Sequence, residues 1–271
     1  MRKGGPVEIG QPAALLSLRA LRGILVAAGI IYAVLTLGFV TRSAWATDLW
    51  PWADTPLSYT FIGSVCGALA VGALWSGLSG QVKAVAGSLR GLVVIYGCVG
   101  AYLLARAVSG ERAVLVHAVI ALLTAAAALF LLVFLRRLPP AEGAMRRLEP
   151  VVRVSTAVFA LALMLAGAAL IARLPGIFPW PLSAPSSTVF GLIFLGLSLV
   201  YADVAWSGTR SAAIVAMSGF LVYDIILLPP FLAHFSRVPP ELRTSLTIYV
   251  AVLIYSAVLA VWFLFRPQPA K

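Results

Sequence analysis

The placing of charged residues constrains this 271-residue chain more than any other feature. Arg22 and Arg42 enclose 19 uncharged residues, Arg112 and Arg136 enclose 23, Arg153 and Arg173 enclose 19, and Arg243 and Arg266 enclose 22. A bilayer core about 30 Å thick takes roughly 20 apolar residues per helix, so each gap reads as one span. Two longer gaps, Asp54 to Lys83 and Arg173 to Asp203, each hold a Pro-containing loop followed by a span. A third span near Gly91–Ala105 reaches full length only with Arg90 at the interface, its head group in water. A seventh runs from Ser211 to about Leu228 and carries Asp224 in its second half. The reading is all-α, a polytopic integral membrane protein of eight transmembrane helices. With 62% apolar and 11% charged residues and a mean hydropathy of +1.02, the chain lies far from a soluble domain. A membrane barrel is excluded because its strands alternate apolar and polar residues, whereas these runs are apolar on every face.

Basic residues set the orientation. Alternate loops with both termini hold Arg2, Lys3, Arg19, Arg22, Lys83, Arg90, Arg136, Arg137, Arg146, Arg147, Arg153, Arg210, Arg266 and Lys271, 14 of the 20; the other loops hold Arg42, Arg106, Arg112, Arg173, Arg237 and Arg243. Cytoplasmic loops carry the excess of Lys and Arg, so both termini are expected in the cytoplasm. The net charge of +11 is then a topology signal, with attraction to anionic lipids beside it; scattered over five segments, it does not suit nucleic acid. Trp45, Trp50, Trp52 and Trp180 fall in the outer loops, and Trp75, Trp206 and Trp262 at inner helix ends, as expected of membrane-interface indoles. Ala44-Trp45-Ala46 has the look of a signal-peptide cleavage site, but the apolar run before it exceeds the usual length.

The two halves of the chain echo each other. Trp50-Pro51-Trp52 precedes the second span and Phe178-Pro179-Trp180-Pro181 the sixth; Trp75-Ser76-Gly77 ends one and Trp206-Ser207-Gly208 the other. Thr60, Phe61 and Gly63 match Thr188, Phe190 and Gly191, Tyr96 matches Tyr223, and Phe134-Leu135-Arg136 matches Leu264-Phe265-Arg266. The expected division is a cytoplasmic segment 1–22, able to lie on the surface as an interfacial helix from Pro12 to Arg22; a four-helix repeat 23–136; a linker 137–152; a second repeat 153–266; and a tail 267–271. Four spans per repeat make the repeats parallel, with any site expected at their seam. The Pro179–Leu182 stretch (Pro-Trp-Pro-Leu) before a Gly-rich span resembles a type of uncharacterised bacterial four-helix membrane protein, over one loop and one helix per half; this resemblance implies no activity.

Asp203 and Asp224 are the only acids within spans. An Asp at a helix centre costs on the order of 2.5–3.5 kcal/mol to insert and is a functional candidate by default. Asp224 is the better one: it follows Tyr223, whereas Tyr96 is followed by Gly97, so one half has a carboxyl the other lacks. The expectation is that Asp224, with Tyr223, Tyr96 and Asp203 as candidate neighbours, binds a proton or a cationic group at the seam; a packing role is the alternative. Asp203, near Arg210 in sequence, reads as structural. His117 and His234, both toward the outer face, could ligate haem or a metal, with Arg106, Arg112 or Arg237 near the propionates. Cys66 and Cys98 read as small apolar filler. Pro229-Pro230 is expected to kink or stop the seventh helix, with termination the favoured outcome. There is no Walker loop, HExxH, G-x-S-x-G or dinucleotide turn.

Three function classes remain. The first is a non-catalytic subunit of a membrane complex, packing against other chains or holding lipid or pigment. The second is a small proton- or cation-coupled carrier using Asp224. The third is haem or metal binding at the outer face through His117 and His234. An enzyme is not expected, nor a resident cofactor. The expected partners are membrane lipids and other membrane chains or a second copy, with no nucleic acid. With 17 Arg to 3 Lys and abundant Ala, the expected home is a bacterial inner membrane.

Overall fold

Every regular element among the described residues, 11–138 and 148–266 of a computed structural model, is helical. Eight helices are long and apolar enough to cross a bilayer: α1 (Gln11–Val40), α2 (Pro56–Ser79), α3 (Ala86–Val108), α4 (Leu115–Arg137), α5 (Pro150–Ile171), α6 (Ala184–Ser207), α7 (Arg210–His234) and α8 (Pro240–Phe265). This is a multi-pass integral membrane protein. The N-terminal residues 1–10, the linker residues 139–147 with Glu142, Arg146 and Arg147, and the tail 267–271 lie outside the described residues.

Local chemistry explains where the helices begin and end. Thr55 caps α2 by accepting from the Ser58 N–H, with Pro56 in the first turn, and Ser183 caps α6 by accepting from the Ser186 N–H, with Pro185 in the first turn. These are the oxygen caps and early prolines that orphan N–H groups favour. Gly80 and Gly208 close α2 and α6 in the left-handed region, with φ of 75° and 58°. α1 and α5 end on Arg42 and Arg173, also left-handed, with matching bonds from Ser43 N to Gly38 O and from Leu174 N to Ala169 O. That is the Schellman closure with arginine where glycine is usual.

Two sequence expectations need correction. The Pro12–Arg22 segment is not a separate surface helix: α1 runs unbroken from Gln11 through the first span. Pro229 and Pro230 do not end α7, which continues to His234. Because proline has no N–H, the Ile225 and Ile226 carbonyls lose their donors one turn beyond Asp224.

Packing pairs consecutive helices, α1 with α2, α3 with α4, α5 with α6 and α7 with α8. The remaining large interfaces cross the chain: α2 packs on α7, and α3 packs on α6. α2, α6 and α7 are the most buried spans. At the crossings glycine permits backbone contact: a Cβ at Gly191 would lie 2.6 Å from the Gly167 carbonyl, and one at Gly91 would lie 2.7 Å from that of Gly196. Near the Trp-Pro loops an aromatic cluster joins the halves, with Phe61 4.8 Å from Phe190 and Phe178 4.7 Å from Trp180. Gly191→Ala is expected to destabilise the protein by about 1–3 kcal/mol, the usual cost of overpacking. Gly23→Ala, with nothing within 4 Å of its new methyl, is expected to be neutral or stabilising; thermal unfolding of the two purified variants in one detergent checks the contrast.

Candidate functional site

α5, α6, α7 and α8, with Val65 and Ala68 of α2, enclose a cavity of about 330 Å³. It lies mainly within the second half of the chain, rather than at an even seam between halves. α5 and α8 face each other across it without packing closely. One end is bridged by the Ser155 and Tyr255 hydroxyls, 2.7 Å apart, and the other by Ser245, whose hydroxyl donates to the Ile177 carbonyl at 3.0 Å. Two lining residues on α8, Ile248 and Val252, are 61% and 44% exposed. The mouth therefore opens sideways, toward hydrocarbon in a membrane.

Phe159, Tyr201, Phe220 and the hydrogen-bonded pair Tyr223–Tyr249 (hydroxyls 2.7 Å apart) form aromatic walls. Tyr201 stacks on Phe220 at 4.3 Å, and Phe159 lies 4.6 Å from Phe220. Asp224 sits directly behind this wall, 1% exposed, its Oδ1 3.0 Å from the Ser256 hydroxyl that lines the cavity. Asp224 Oδ2 is buried without a hydrogen-bond partner, and no ion pair among the described residues involves Asp224. Ser256 has one proton and two other acceptors, the carbonyls of Val252 at 2.9 Å and Leu253 at 3.1 Å. The contact thus has two forms: Ser256 donates to a carboxylate, or a protonated Asp224 donates to Ser256 while Ser256 donates to Val252.

The other candidates fall elsewhere. Tyr96 meets Tyr32 of α1, hydroxyls 3.4 Å apart, away from Tyr223. Asp203 pairs with Arg90 across the α3–α6 interface and packs over Gly87, whereas Arg210 approaches Glu149 at 3.9 Å. Arg90 keeps 41% of its side chain exposed, so it has both an ion-pair partner on α6 and an open side. His117 and His234 are not brought together, because α4 and α7 share no large interface; His234 donates from Nε2 to the Pro179 carbonyl at 3.3 Å, and His117 Nδ1 is buried without a partner. No group of three or more His, Cys, Asp or Glu side chains occurs among the described residues. Cys66 and Cys98 are unbridged, and Cys98 is exposed rather than buried filler. Trp206, Trp45 and Trp262 are exposed and Trp50, Trp52 and Trp75 half-buried, but Trp180 is 3% exposed and departs from the interfacial reading. Its indole N–H donates to Ser58 at 2.9 Å.

Three groups escaped the sequence reading. Ser245, Tyr249 and Ser256 stand at spacings of four and seven in α8, one polar stripe on an apolar span, and that stripe was a usable signal. Asp54 accepts from Ser186 at 2.5 Å and from the Thr55 N–H at 2.8 Å, so one carboxylate serves the N-termini of α2 and α6 together. In the last turn of α3, Arg106 holds Glu111 of the following loop and lies 5.8 Å from the Trp52 ring, while the Trp52 indole donates to Glu111 at 3.2 Å. The bonds from Arg106 and Trp52 hold the Glu111 carboxyl below its usual range.

No protein family, curated protein or solved structure matches the chain. Its reading rests on its own geometry.

Two outcomes follow. Arg90→Met strands the Asp203 carboxylate and is expected to cost about 1–3 kcal/mol, below the range for a fully buried pair because Arg90 is 41% exposed. Arg90→Met with Asp203→Met should recover much of that loss in thermal unfolding. A lowered carboxyl contributes stability above its unfolded value and loses it as pH falls through the folded one. Protection of the 109–114 loop against hydrogen exchange, corrected for intrinsic rates, is therefore expected to drop on acidification, and Glu111→Gln should abolish that dependence.

Proposed function

We propose that this protein is a small membrane carrier whose solute site is the cavity beside Asp224, with Asp224 as the coupling group. One observation carries the reading: a carboxylate oxygen buried within a membrane span, with neither cation nor donor, one hydrogen bond behind an open cavity. Such a group is expensive to keep in hydrocarbon, and a packing role would be served as well by a satisfied or apolar residue. The cavity is at the small end of the range for small-molecule sites, about 300–1,000 Å³, and has their usual character, apolar walls with a few polar groups. A membrane subunit whose task is packing alone has no need of it.

The carrier is read as two parallel four-helix repeats, 23–136 and 153–266, in a bacterial inner membrane with both termini cytoplasmic. Three sets of paired interfaces support the duplication: α1–α2 with α5–α6, α3–α4 with α7–α8, and α2–α7 with α6–α3. The left-handed Arg42 and Arg173 support it again, as do Arg22 and Arg153, each donating to a carbonyl near the end of the following helix, Gly77 and Ala205. The site belongs to one repeat only. Where Asp224 faces Ser256, the other repeat has Gly97 facing Ala125. The Ser155–Tyr255 and Ser245–Ile177 bonds are the two closures that alternating access would release in turn.

Proteoliposomes with an entrapped pH indicator test the reading, challenged with panels of amines, carboxylates and neutral solutes. Solute-driven proton movement is expected for one class, abolished by Asp224→Asn and retained in Arg90→Met/Asp203→Met. No proton movement with any class, or full activity in Asp224→Asn, would remove the carrier reading. Native mass spectrometry after gentle extraction is expected to show the chain with lipid, alone or self-associated. A stoichiometric second chain would instead favour the non-catalytic subunit.

A further inference from the structure

We infer that the cavity beside Asp224 takes a lipophilic amine, a protonated amino group on a compact apolar body, which enters from the hydrocarbon between α5 and α8. This rests on the carrier reading for its site, but not on transport taking place.

Each part of the ligand answers a feature of the cavity. The orphaned Asp224 Oδ2 lacks both a counter-charge and a hydrogen-bond donor, and an ammonium group is the small chemical unit that supplies both. Ser256 stands between the carboxylate and the open space. Its rotation onto the Val252 carbonyl, already 2.9 Å away, clears the approach without moving backbone. The walls near that point are aromatic, Phe159, Tyr201, Tyr223 and Tyr249 among them, and the negative faces of desolvated rings attract a cation. No basic side chain among the described residues lines the cavity, so a carboxylate or phosphate solute would find no partner there. The few hydroxyls are largely spent on each other and on carbonyls, which leaves little for a sugar. The exposed Ile248 and Val252 at the mouth suit a molecule dissolved in lipid. Charge also balances: the incoming ammonium replaces the proton on Asp224, one cation for another, so nothing is left uncompensated in the span.

The full chain in lipid nanodiscs, with empty nanodiscs as the partition control, provides the test. Equilibrium binding is measured at neutral pH for three radiolabelled probes of nearly equal shape: phenylbutylamine, the uncharged donor phenylbutanol, and pentylbenzene. The amine is expected to bind about tenfold or more tighter than the alcohol. Asp224→Asn should erase that preference while leaving pentylbenzene binding unchanged. Ser256→Ala, which removes the hydroxyl screening the carboxylate, should tighten the amine and leave the hydrocarbon alone; it serves where Asp224→Asn does not fold. Equal affinity for amine and alcohol, an amine preference that survives Asp224→Asn, or amine binding that does not move in Ser256→Ala overturns the inference. Amine flux into proteoliposomes separates it from the carrier reading. Asp224-dependent binding without flux keeps the amine site and removes the carrier, whereas Asp224-dependent proton movement driven only by other solutes keeps the carrier and removes the amine.

Discussion

Hydrocarbon gives two apolar helices no hydrophobic reason to associate, so a membrane bundle is held by close packing and by polar contacts between helices. In this protein sequence neighbours pack most extensively, and the contacts between halves fall on α2, α3, α6 and α7 and on the loops before α2 and α6. Backbones touch where glycine faces glycine, at Gly167–Gly191 and Gly91–Gly196. Three polar ties join the halves: Arg90 with Asp203, Trp180 with Ser58, and Ser186 with Asp54. Each joins a residue of the first half to one of the second. The outer helices α1, α4, α5 and α8 are fastened to this centre mainly through their sequence neighbours.

That arrangement makes the protein more than two bundles side by side. Within the first half, α2 turns away from α3 and packs on α7, and α3 packs on α6. The two halves are thus interlocked, and one cluster of buried side chains, with Phe61 and Ile95 beside Phe190 and Phe231, draws on both. Against this near-symmetric frame the chemistry is one-sided. Asp224, Ser256, Tyr249 and the cavity stand in the second half, where the first has Gly97 facing Ala125.

The residues divide by how far their roles could be read from the chain. Asp224 stood out in sequence because a charge inside an apolar run has no ordinary explanation. The Trp-Pro and Trp-Ser-Gly landmarks placed the loops and helix ends for the same kind of reason. Trp180 misled: an indole in a loop suits the headgroup layer, but this one is buried because a hydroxyl 122 residues away accepts its N–H. Asp203 read as structural and pairs between helices, but its partner is Arg90 of α3, whereas its sequence neighbour Arg210 approaches Glu149. Pro229-Pro230 was read as a stop because proline lacks a donor, yet α7 passes through it.

The sequence alone determined that this chain has eight helices long and apolar enough to cross a bilayer, in what order they come, and which carboxyl is most out of place. Those are properties of one helix in hydrocarbon: length against thickness, and the cost of a charge along an apolar run. Only the tertiary structure decided which helix meets which, that Arg90 belongs to Asp203, that the two histidines stay apart, and that Asp224 backs onto a cavity in one half. Spans that are apolar on every face carry almost no record of the neighbour each face will meet. That choice is made by small differences in backbone approach and by a few polar partners far apart in the chain, and it becomes visible only when the helices are packed.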